Sequence, residues 1–333
     1  MTTAGSVPAK TTDVVRSPWL MLALATTGFV INFWAWALLS PLGPLFRNQG
    51  TLGALSDSDV ALMVAVPVVV GSLGRIPVGA LTDKLGGRVM FPVVSAATIV
   101  PILFLAFFAL NSYVLILIGG FFLGIGGTAF AVGVPFVNAW FPPERRGLAV
   151  GIFGAGMGGT AISALTTVKL YANVGEKAPF VITAVVLAVY AVVSWLLLRD
   201  APGRTPPTTP LMSRLMANVK LPITIQAGIL YAVAFGGYVA FSVYLPAYLK
   251  TAHGLTAADA ANRMAGFVLV AVIMRPIGGW LSDRFGPIPV LASGYAVVVV
   301  CAAISAGSPP LGGVGTAAFL AMAAALGSGS GAT

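Results

Sequence analysis

Charged residues are scarce in this chain. Only 8% of its 333 residues are Asp, Glu, Lys or Arg, whereas 58% are hydrophobic, and a soluble domain carries roughly 25% charged residues. The mean hydropathy of +0.97 therefore indicates an integral membrane protein. Forty glycines and 23 prolines are compatible with helices, because both residues are commoner in transmembrane helices than in soluble ones.

Cysteine and histidine are scarcer still, since Cys301 and His253 are the only examples. A single cysteine excludes an intrachain disulfide. No nucleophile–base pair or metal-ligand cluster is recognisable, so the sequence argues against an enzyme and predicts neither a cofactor nor a metal site. The net charge of +9 is not gathered into a basic cluster with exposed aromatic residues. Nucleic acid is therefore not an expected partner.

Charge-free apolar runs predict an all-α membrane protein with ten spans. The first uncharged run, Ser17 to Phe46, is too long for a signal-peptide core and predicts a helix that stays attached. A Pro- and Arg-rich segment within 199–220 cannot span and is predicted to be a linker. The predicted spans cover about 18–45, 59–82, 89–110, 113–141, 147–170, 178–198, 221–249, 262–282, 288–306 and a tenth beginning near Gly312.

The spans predict four regions and an orientation. The regions are an N-terminal tail (1–17), a six-helix bundle (18–198), the linker (199–220) and a second bundle (221–333). Alternating the loops puts eleven lysines and arginines on the side of the N-terminus and five on the other. The positive-inside rule then places the N-terminus and the linker in the cytoplasm. A multi-pass protein of the plasma (inner) membrane, monomeric in the lipid bilayer, is expected.

One segment occurs twice, 200 residues apart. GRIPVGALTDKLG at 74–86 and MRPIGGWLSDRFG at 274–286 keep Arg, Gly, Leu, Asp and Gly in register. The two copies end the second and the eighth predicted span. Because these spans are six apart in order, an even number, both copies have the same orientation in the membrane. The repeat is therefore parallel, as in transporters whose halves are related by an axis along the membrane normal.

Arg75 and Arg275 account for the two basic residues that no loop contains. Each lies eight residues before the loop aspartate, about 12 Å at a helical rise of 1.5 Å per residue. That depth is near the middle of a hydrocarbon core roughly 30 Å thick, where an arginine indicates a functional site. No acid is predicted to lie beside them, because all nine fall in tails or loops: Asp13, Asp57, Asp59, Asp83, Glu144, Glu176, Asp200, Asp259 and Asp283.

A bound anion is then the expected partner of the two arginines. Guanidinium is a planar fork that suits a planar oxyanion. Aromatic residues are predicted nearby: Tyr231 and Phe235 are four apart and share a helix face, and Phe130 follows a glycine-rich run. Large rings can sandwich a flat ion, although lipid contact or packing is the ordinary role of a membrane phenylalanine.

The charged loops resemble a motif of the major facilitator superfamily. Asp83-Lys84-Leu85-Gly86-Gly87-Arg88 resembles the motif between helices 2 and 3, and Asp283-Arg284-Phe285-Gly286 resembles its second-half copy. The resemblance implies loops that lock the two halves by charge pairing, in a transporter that works by alternating access. A weaker sequence similarity between 123–126 and 326–329 pairs helix 4 with helix 10. We therefore expect helices 11 and 12 to follow, and the chain to be cut inside helix 10.

A narrower resemblance begins at Phe130 and continues through Asn138-Ala139-Trp140-Phe141-Pro142-Pro143-Glu144-Arg145-Arg146 to the run Gly154-Ala155-Gly156-Met157-Gly158-Gly159. This stretch is similar to the nitrate/nitrite porter family. The resemblance implies that the anion is held by Arg75 and Arg275 and lined by Phe130, Tyr231, Phe235 and the glycine-rich segment with Gly154. The chain departs from the family where an asparagine is usual, since Met157 or Gly158 stands there. Close helix packing is the alternative role of these glycines.

The resemblance implies nitrate and nitrite as substrates, in keeping with nitrate assimilation. The lack of a carboxylate or histidine in the predicted core favours exchange of one anion for another over proton symport. Two alternatives stay open at this point. One is a carrier of another small anion, such as formate or oxalate, in the same superfamily. The other is a transport-inactive fragment or an anion sensor.

Overall fold

Ten helices in the described part of the chain are long and apolar enough to cross a membrane. The computed structural model describes residues 17–307, 309–310 and 313–332. The predicted all-α multi-pass class is confirmed, whereas most of the predicted tail (1–17) and the predicted start of the tenth helix at Gly312 lie outside the described residues. The helices are α1 (Pro18–Gln49), α2 (Asp57–Leu85), α3 (Gly87–Ala109), α4 (Tyr113–Trp140), α5 (Pro143–Asn173), α6 (Ala178–Leu197), α7 (Pro222–His253), α8 (Ala257–Phe285), α9 (Pro287–Ala306) and α10 (Val314–Ala332).

Several of these helices are interrupted where the sequence predicted continuous spans. Helix α1 breaks between Trp36 and Leu39, and α3 ends in a π-helical turn, Leu105–Ala109. Near the middle of α4 and α5 the backbone tightens into 3-10 segments, Gly124–Thr128 and Ala155–Gly158. Both segments are rich in glycine, which has low helix propensity and yields readily to other local geometries. Hydropathy alone does not show such breaks.

The linker contains a short helix, Leu211–Val219, that the sequence reading did not predict. We call it the linker helix, and we call the side of the membrane on which the linker lies the linker face. The signal was present, because Leu211, Leu215 and Val219 recur at helical spacing beside polar positions. It was hidden by the proline-rich stretch that precedes it.

The internal repeat extends over whole helices. Helices α2 and α8 each contain 29 residues, and each starts after a hydroxyl cap: Ser56 and Thr256 accept a hydrogen bond from the backbone N–H three residues later, at 3.2 Å in both copies. Each ends at a glycine with positive φ, Gly86 at 90° and Gly286 at 84°. A left-handed turn of this kind favours glycine, which has no Cβ to clash. The same start and stop signals therefore operate 200 residues apart.

Helix α8 packs against helices from both predicted bundles. It packs against α7 and α10, and across the chain against the first half of α5. The largest buried cluster is continuous between the regions, because it joins Phe29 and Phe153 to Tyr238, Phe267 and Met322. The parts of the chain that the structure describes contain no β-strand, only one isolated bridge between Thr51 and Gly53. The proposed division at the linker stays a prediction.

We expect Gly327→Ala to destabilise the packing of α10 on α8. A Cβ at Gly327 would lie 2.1 Å from the Ala271 carbonyl oxygen, which is backbone and cannot rotate away. Overpacking of this kind costs about 1–3 kcal/mol, so the thermal unfolding temperature of the full-length protein should fall. Gly266→Ala is the matched control, because no described atom lies near its added methyl group. Equal unfolding temperatures for the two variants would contradict the packing.

Candidate functional site

The two arginines lie at matching depths on α2 and α8. Each precedes the last residue of its helix by ten residues, about 15 Å at 1.5 Å per residue, or half of a core roughly 30 Å thick. Arg275 is 2% exposed, and its positive charge reaches Arg75. Within the described residues the ion pairs are Arg47–Asp57 and Asp83–Arg214, so neither arginine has an acidic partner there.

Arg75 is surrounded by rings. Its guanidinium carbon lies 5.3 Å from the centre of the Phe130 ring and 5.6 Å from that of Phe235. Its Nε donates a long hydrogen bond, 3.4 Å, to the Gly127 carbonyl. Cation–π contacts stabilise a desolvated guanidinium by about 2 kcal/mol each. They do not neutralise its charge, and the described residues offer its terminal nitrogens no acceptor.

The rings beside Arg75 form a nearly parallel stack that joins α4 to α7. Phe130 and Tyr231 have ring centroids 6.0 Å apart and planes 21° apart. Tyr231 and Phe235 follow at 5.4 Å and 6°, as expected for residues four apart on one helix. The structure thus brings together four of the predicted site residues. The Tyr231 hydroxyl is buried and has no hydrogen-bond partner among the described residues.

Arg275 is held on the other side by α5. Its Nη1 donates to the Gly154 carbonyl at 3.3 Å. A Cβ at Gly154 would lie 2.8 Å from that nitrogen, so the absent side chain is what lets the guanidinium reach the backbone. Its Nη2 is buried without a hydrogen-bond partner in the described part of the chain. Gly154 is therefore in direct contact with Arg275, the residue that is predicted to bind the anion.

Both arginines bond to backbone next to the 3-10 segments. Gly127 is inside the segment of α4, and Gly154 immediately precedes that of α5. A carbonyl has two lone pairs and can accept from a guanidinium as well as from its own helix. The glycine-rich stretches therefore provide charge-stabilising dipoles where no acid is present. Spacing alone did not predict these contacts.

The two positions at which the asparagine typical of the family could be missing, Met157 and Gly158, differ in their surroundings. Met157 is 1% exposed and packs within the large buried cluster. Gly158 is only partly buried, and a Cβ there would lie 3.6 Å from Val272 on α8. Neither position presents a side-chain hydrogen-bond donor, since one side chain is a thioether and the other is absent.

Three residues near the site were missed by sequence reasoning. Phe29 and Phe153 stack on each other at 4.7 Å and also contact Phe130, at 5.7 and 6.1 Å. Tyr238 is 3% exposed and interacts electrostatically with Arg275. The only signal for Tyr238 was its helical spacing, because it falls on the same face of α7 as Tyr231 and Phe235.

The acids stay away from the site. Of the nine, Asp13 lies outside the described residues, and the other eight lie within a few residues of a helix end or between helices. No group of His, Cys, Asp and Glu suitable for a metal ion occurs among the residues described. Among the described residues, the centre of the protein therefore contains two arginines and no acid.

Asp83 and Asp283, which the sequence predicted to lie in loops, are in the last turns of α2 and α8, and they differ in their partners. The Asp283 carboxylate accepts backbone N–H bonds from Gly147 and Leu148, both 2.8 Å, at the start of α5. A carboxylate is favourable there, because the first N–H groups of a helix are unpaired and carry positive charge. This contact joins α8 to α5 through backbone, where charge pairing was expected. Arg284 meanwhile lies over the rings of Trp280 and Phe285 at 5.7 and 5.5 Å.

The first copy of the loop is held by the linker. Asp83 pairs with Arg214 of the linker helix, and Arg204 donates to the Asp83 carbonyl at 2.6 Å. Asp200 accepts the Arg88 backbone N–H at 3.1 Å, at the start of α3. The predicted loop residues Asp83 and Arg88 thus contact the linker. No described contact involves the side chain of Lys84.

Comparison with known proteins defines the class. The family model described as "Major Facilitator Superfamily" matches residues 25–333, so the chain belongs to this superfamily of membrane transporters and is not an enzyme. The fold is similar to a bacterial homologue of the human lysosomal transporter Spinster, crystallised in an inward-facing and occupied conformation. The TM-score is 0.63, with 21% identity, 95% of this chain covered and 74% of that one. This likeness shows the fold alone.

Closer relatives define the family. The chain is 45% identical to the "Probable nitrate/nitrite transporter NarK2" of Mycobacterium tuberculosis, over 93% of this chain and 78% of the relative. It is 34% identical to the "Nitrite extrusion protein" of Bacillus subtilis, over 88% of this chain and 72% of that protein. The chain is therefore a member of the nitrate/nitrite porter family, as the sequence motifs implied.

We expect Asp283→Asn to loosen the start of α5. An amide can accept one N–H bond but turns its own N–H₂ group towards the other donor, so one charge-assisted hydrogen bond is lost. Such a bond contributes about 1.5–3 kcal/mol. Hydrogen exchange of a peptide covering 143–154 should then be about tenfold or more faster. Asp259→Asn, at a helix start on the opposite face, is the control, and unchanged exchange in both variants would contradict the contact.

Proposed function

We propose that this protein carries nitrate and nitrite across the membrane by alternating access, as an exchanger of one anion for the other. The observation that supports the proposal most directly is the pair Arg75 and Arg275, desolvated and without an acid among the described residues. Buried charge of one sign is strongly unfavourable. A bound anion provides the missing charge.

The shape of the surroundings favours a flat anion. The rings of Phe130, Tyr231 and Phe235 are close to parallel, and the Arg75 guanidinium lies over two of them. Nitrate and nitrite are planar, and a guanidinium fork can hold two of their oxygens. A tetrahedral anion such as phosphate does not match this arrangement. The names of the relatives, a nitrate/nitrite transporter and a nitrite extrusion protein, support the same substrates.

Exchange is favoured by the charges that remain when the site is empty. Arg75 and Arg275 then repel each other across a medium of low dielectric constant, where screening is weak. If the empty carrier changed from one conformation to the other, this repulsion would persist throughout the change. Among the described residues the core contains no carboxylate that could carry a proton, and the single histidine, His253, is the last residue of α7. A returning anion is the remaining means of neutralising the site.

Alternating access requires surfaces that separate and rejoin. Helices α5 and α8 approach through backbone near the linker face, because a Cβ at Gly279 would lie 2.0 Å from the Gly147 carbonyl oxygen. Asp283 bonds α8 to the start of α5 at the same level. We propose that this contact closes the linker face, and that the Asp83–Arg214 pair restrains the first loop. The cytoplasmic location of that face remains a prediction.

We expect Arg75→Lys to weaken nitrate and nitrite binding by about tenfold to a hundredfold. Lysine keeps the charge but loses the planar fork, so at least one charge-assisted hydrogen bond is lost, about 1.5–3 kcal/mol. Isothermal titration of the full-length protein with each anion measures the change. Arg47→Lys is the matched control, because Arg47 pairs with Asp57 away from the site. Tighter binding of formate or oxalate than of nitrate by the wild type would favour a carboxylate carrier instead.

We expect nitrate uptake into liposomes to need an internal anion. Vesicles loaded with nitrite and reconstituted with the full-length protein should take up labelled nitrate, and vesicles loaded with gluconate should take up little. A pH gradient should not restore uptake in the second case. Proton-driven uptake into empty vesicles would rule out exchange while leaving anion transport intact.

A further inference from the structure

Two buried polar groups at the site, the Tyr238 hydroxyl and Arg275 Nη2, are unpaired among the described residues. Tyr238 on α7 is 3% exposed, and Arg275 is 2% exposed. Within the described part of the chain, no atom meets the Tyr238 hydroxyl or Arg275 Nη2 with hydrogen-bonding geometry. Buried polar groups are nearly always paired. Tyr238 and Arg275 also interact electrostatically, which suggests a common partner for the two unpaired groups.

Two side chains act on the Tyr238 hydroxyl, those of Thr160 and Arg275. It lies next to the Thr160 side chain of α5 and within the field of Arg275. Thr160 already donates its own proton to the Met157 carbonyl at 2.9 Å. Its oxygen therefore turns lone pairs and no proton towards Tyr238. The phenolic proton is free to be donated.

Helix geometry connects this hydroxyl to the aromatic stack. Tyr238 follows Tyr231 by seven residues and Phe235 by three, so the three rings share one face of α7. Tyr238 lies about 4.5 Å further along the helix axis than Phe235, at 1.5 Å per residue. The Arg275 guanidinium spends one nitrogen, Nη1, on the Gly154 carbonyl at 3.3 Å. Of the other two nitrogens, Nη2 is buried without a partner among the described residues.

We propose that the Tyr238 hydroxyl and Arg275 Nη2 together bind one oxygen of the transported oxyanion, making Tyr238 a further residue that determines anion affinity. The inference rests on the proposed function. When the anion is present, the phenol donates to its oxygen; when the anion is absent, the phenol turns towards Thr160. Neither state needs a proton transfer. Met157 and Gly158 offer no side-chain donor, whereas Tyr238 has a buried, neutral donor that is unpaired among the described residues.

The test is Tyr238→Phe in the full-length protein. This change removes one oxygen and keeps the buried ring. A hydrogen bond to a charged group accounts for about tenfold or more in affinity, so nitrate and nitrite should each bind at least tenfold more weakly by isothermal titration. The ratio of the two dissociation constants should also change, because the anions present different oxygens. A purely structural effect would lower both affinities together with the unfolding temperature.

Tyr190→Phe is the matched control. Tyr190 is also buried, at 4% exposure, and its hydroxyl donates to the Leu24 carbonyl at 3.1 Å in the first six helices. Removing that hydroxyl should leave both affinities unchanged. Thr160→Val is a second variant: it removes the resting acceptor of the phenol and should leave anion binding intact or tighten it, whereas a tenfold loss there would assign the donor role to Thr160 and overturn the proposal.

The outcomes distinguish a failure of this inference from a failure of the proposed function. If the wild type binds neither nitrate nor nitrite, the proposed function fails. If the wild type binds both anions, Arg75→Lys binds them weakly and Tyr238→Phe binds them like the wild type, the inference alone is wrong. The last result would mean that the hydroxyl is satisfied by a buried water.

Discussion

The repulsion between the buried guanidinium of Arg275 and the partly buried guanidinium of Arg75 is the constraint around which the rest of the structure is arranged. An arginine in the middle of a membrane is costly, and here two of them share a site without an acid among the described residues. Aromatic faces and backbone carbonyls stabilise each charge but leave it uncompensated. Helices α2, α4, α5, α7 and α8 converge because each provides one part of this partial stabilisation. An anion bound as proposed would supply the missing negative charge.

The repeated segments show that the same sequence signals can form the same local structure and still contact different partners. Helices α2 and α8 start, extend and stop alike, from the hydroxyl caps to the left-handed glycines. The partners of the equivalent aspartates differ, however: Asp83 bonds to the linker helix, and Asp283 bonds to the start of α5. A repeat fixes local conformation through its own residues. The partner of an exposed carboxylate depends instead on which element lies opposite, and the linker has no second copy.

Much of the fold and part of the site could be predicted from sequence, for physical reasons. Hydropathy defines spans because the bilayer demands them, and the depth of Arg75 and Arg275 follows from helical rise. Tyr231 and Phe235 were predictable as a pair because they lie on one helix. Three features were not: the 3-10 segments, the reach of Arg275 to the Gly154 carbonyl, and the burial of Tyr238. Each depends on how helices distant in sequence approach one another, and periodicity does not encode that.

Gly127 and Gly154 carry a consequence for how such a site withstands sequence drift. Each arginine is anchored by a peptide carbonyl, and that dipole belongs to the main chain and survives most substitutions. Random mutation can therefore tune the rings and hydroxyls around the anion while the anchors of the two charges persist. What mutation cannot do freely is add a methyl group at Gly154. The arrangement that stabilises the two charges is therefore kept only if the residue at position 154 remains a glycine, which has a hydrogen atom in place of a side chain.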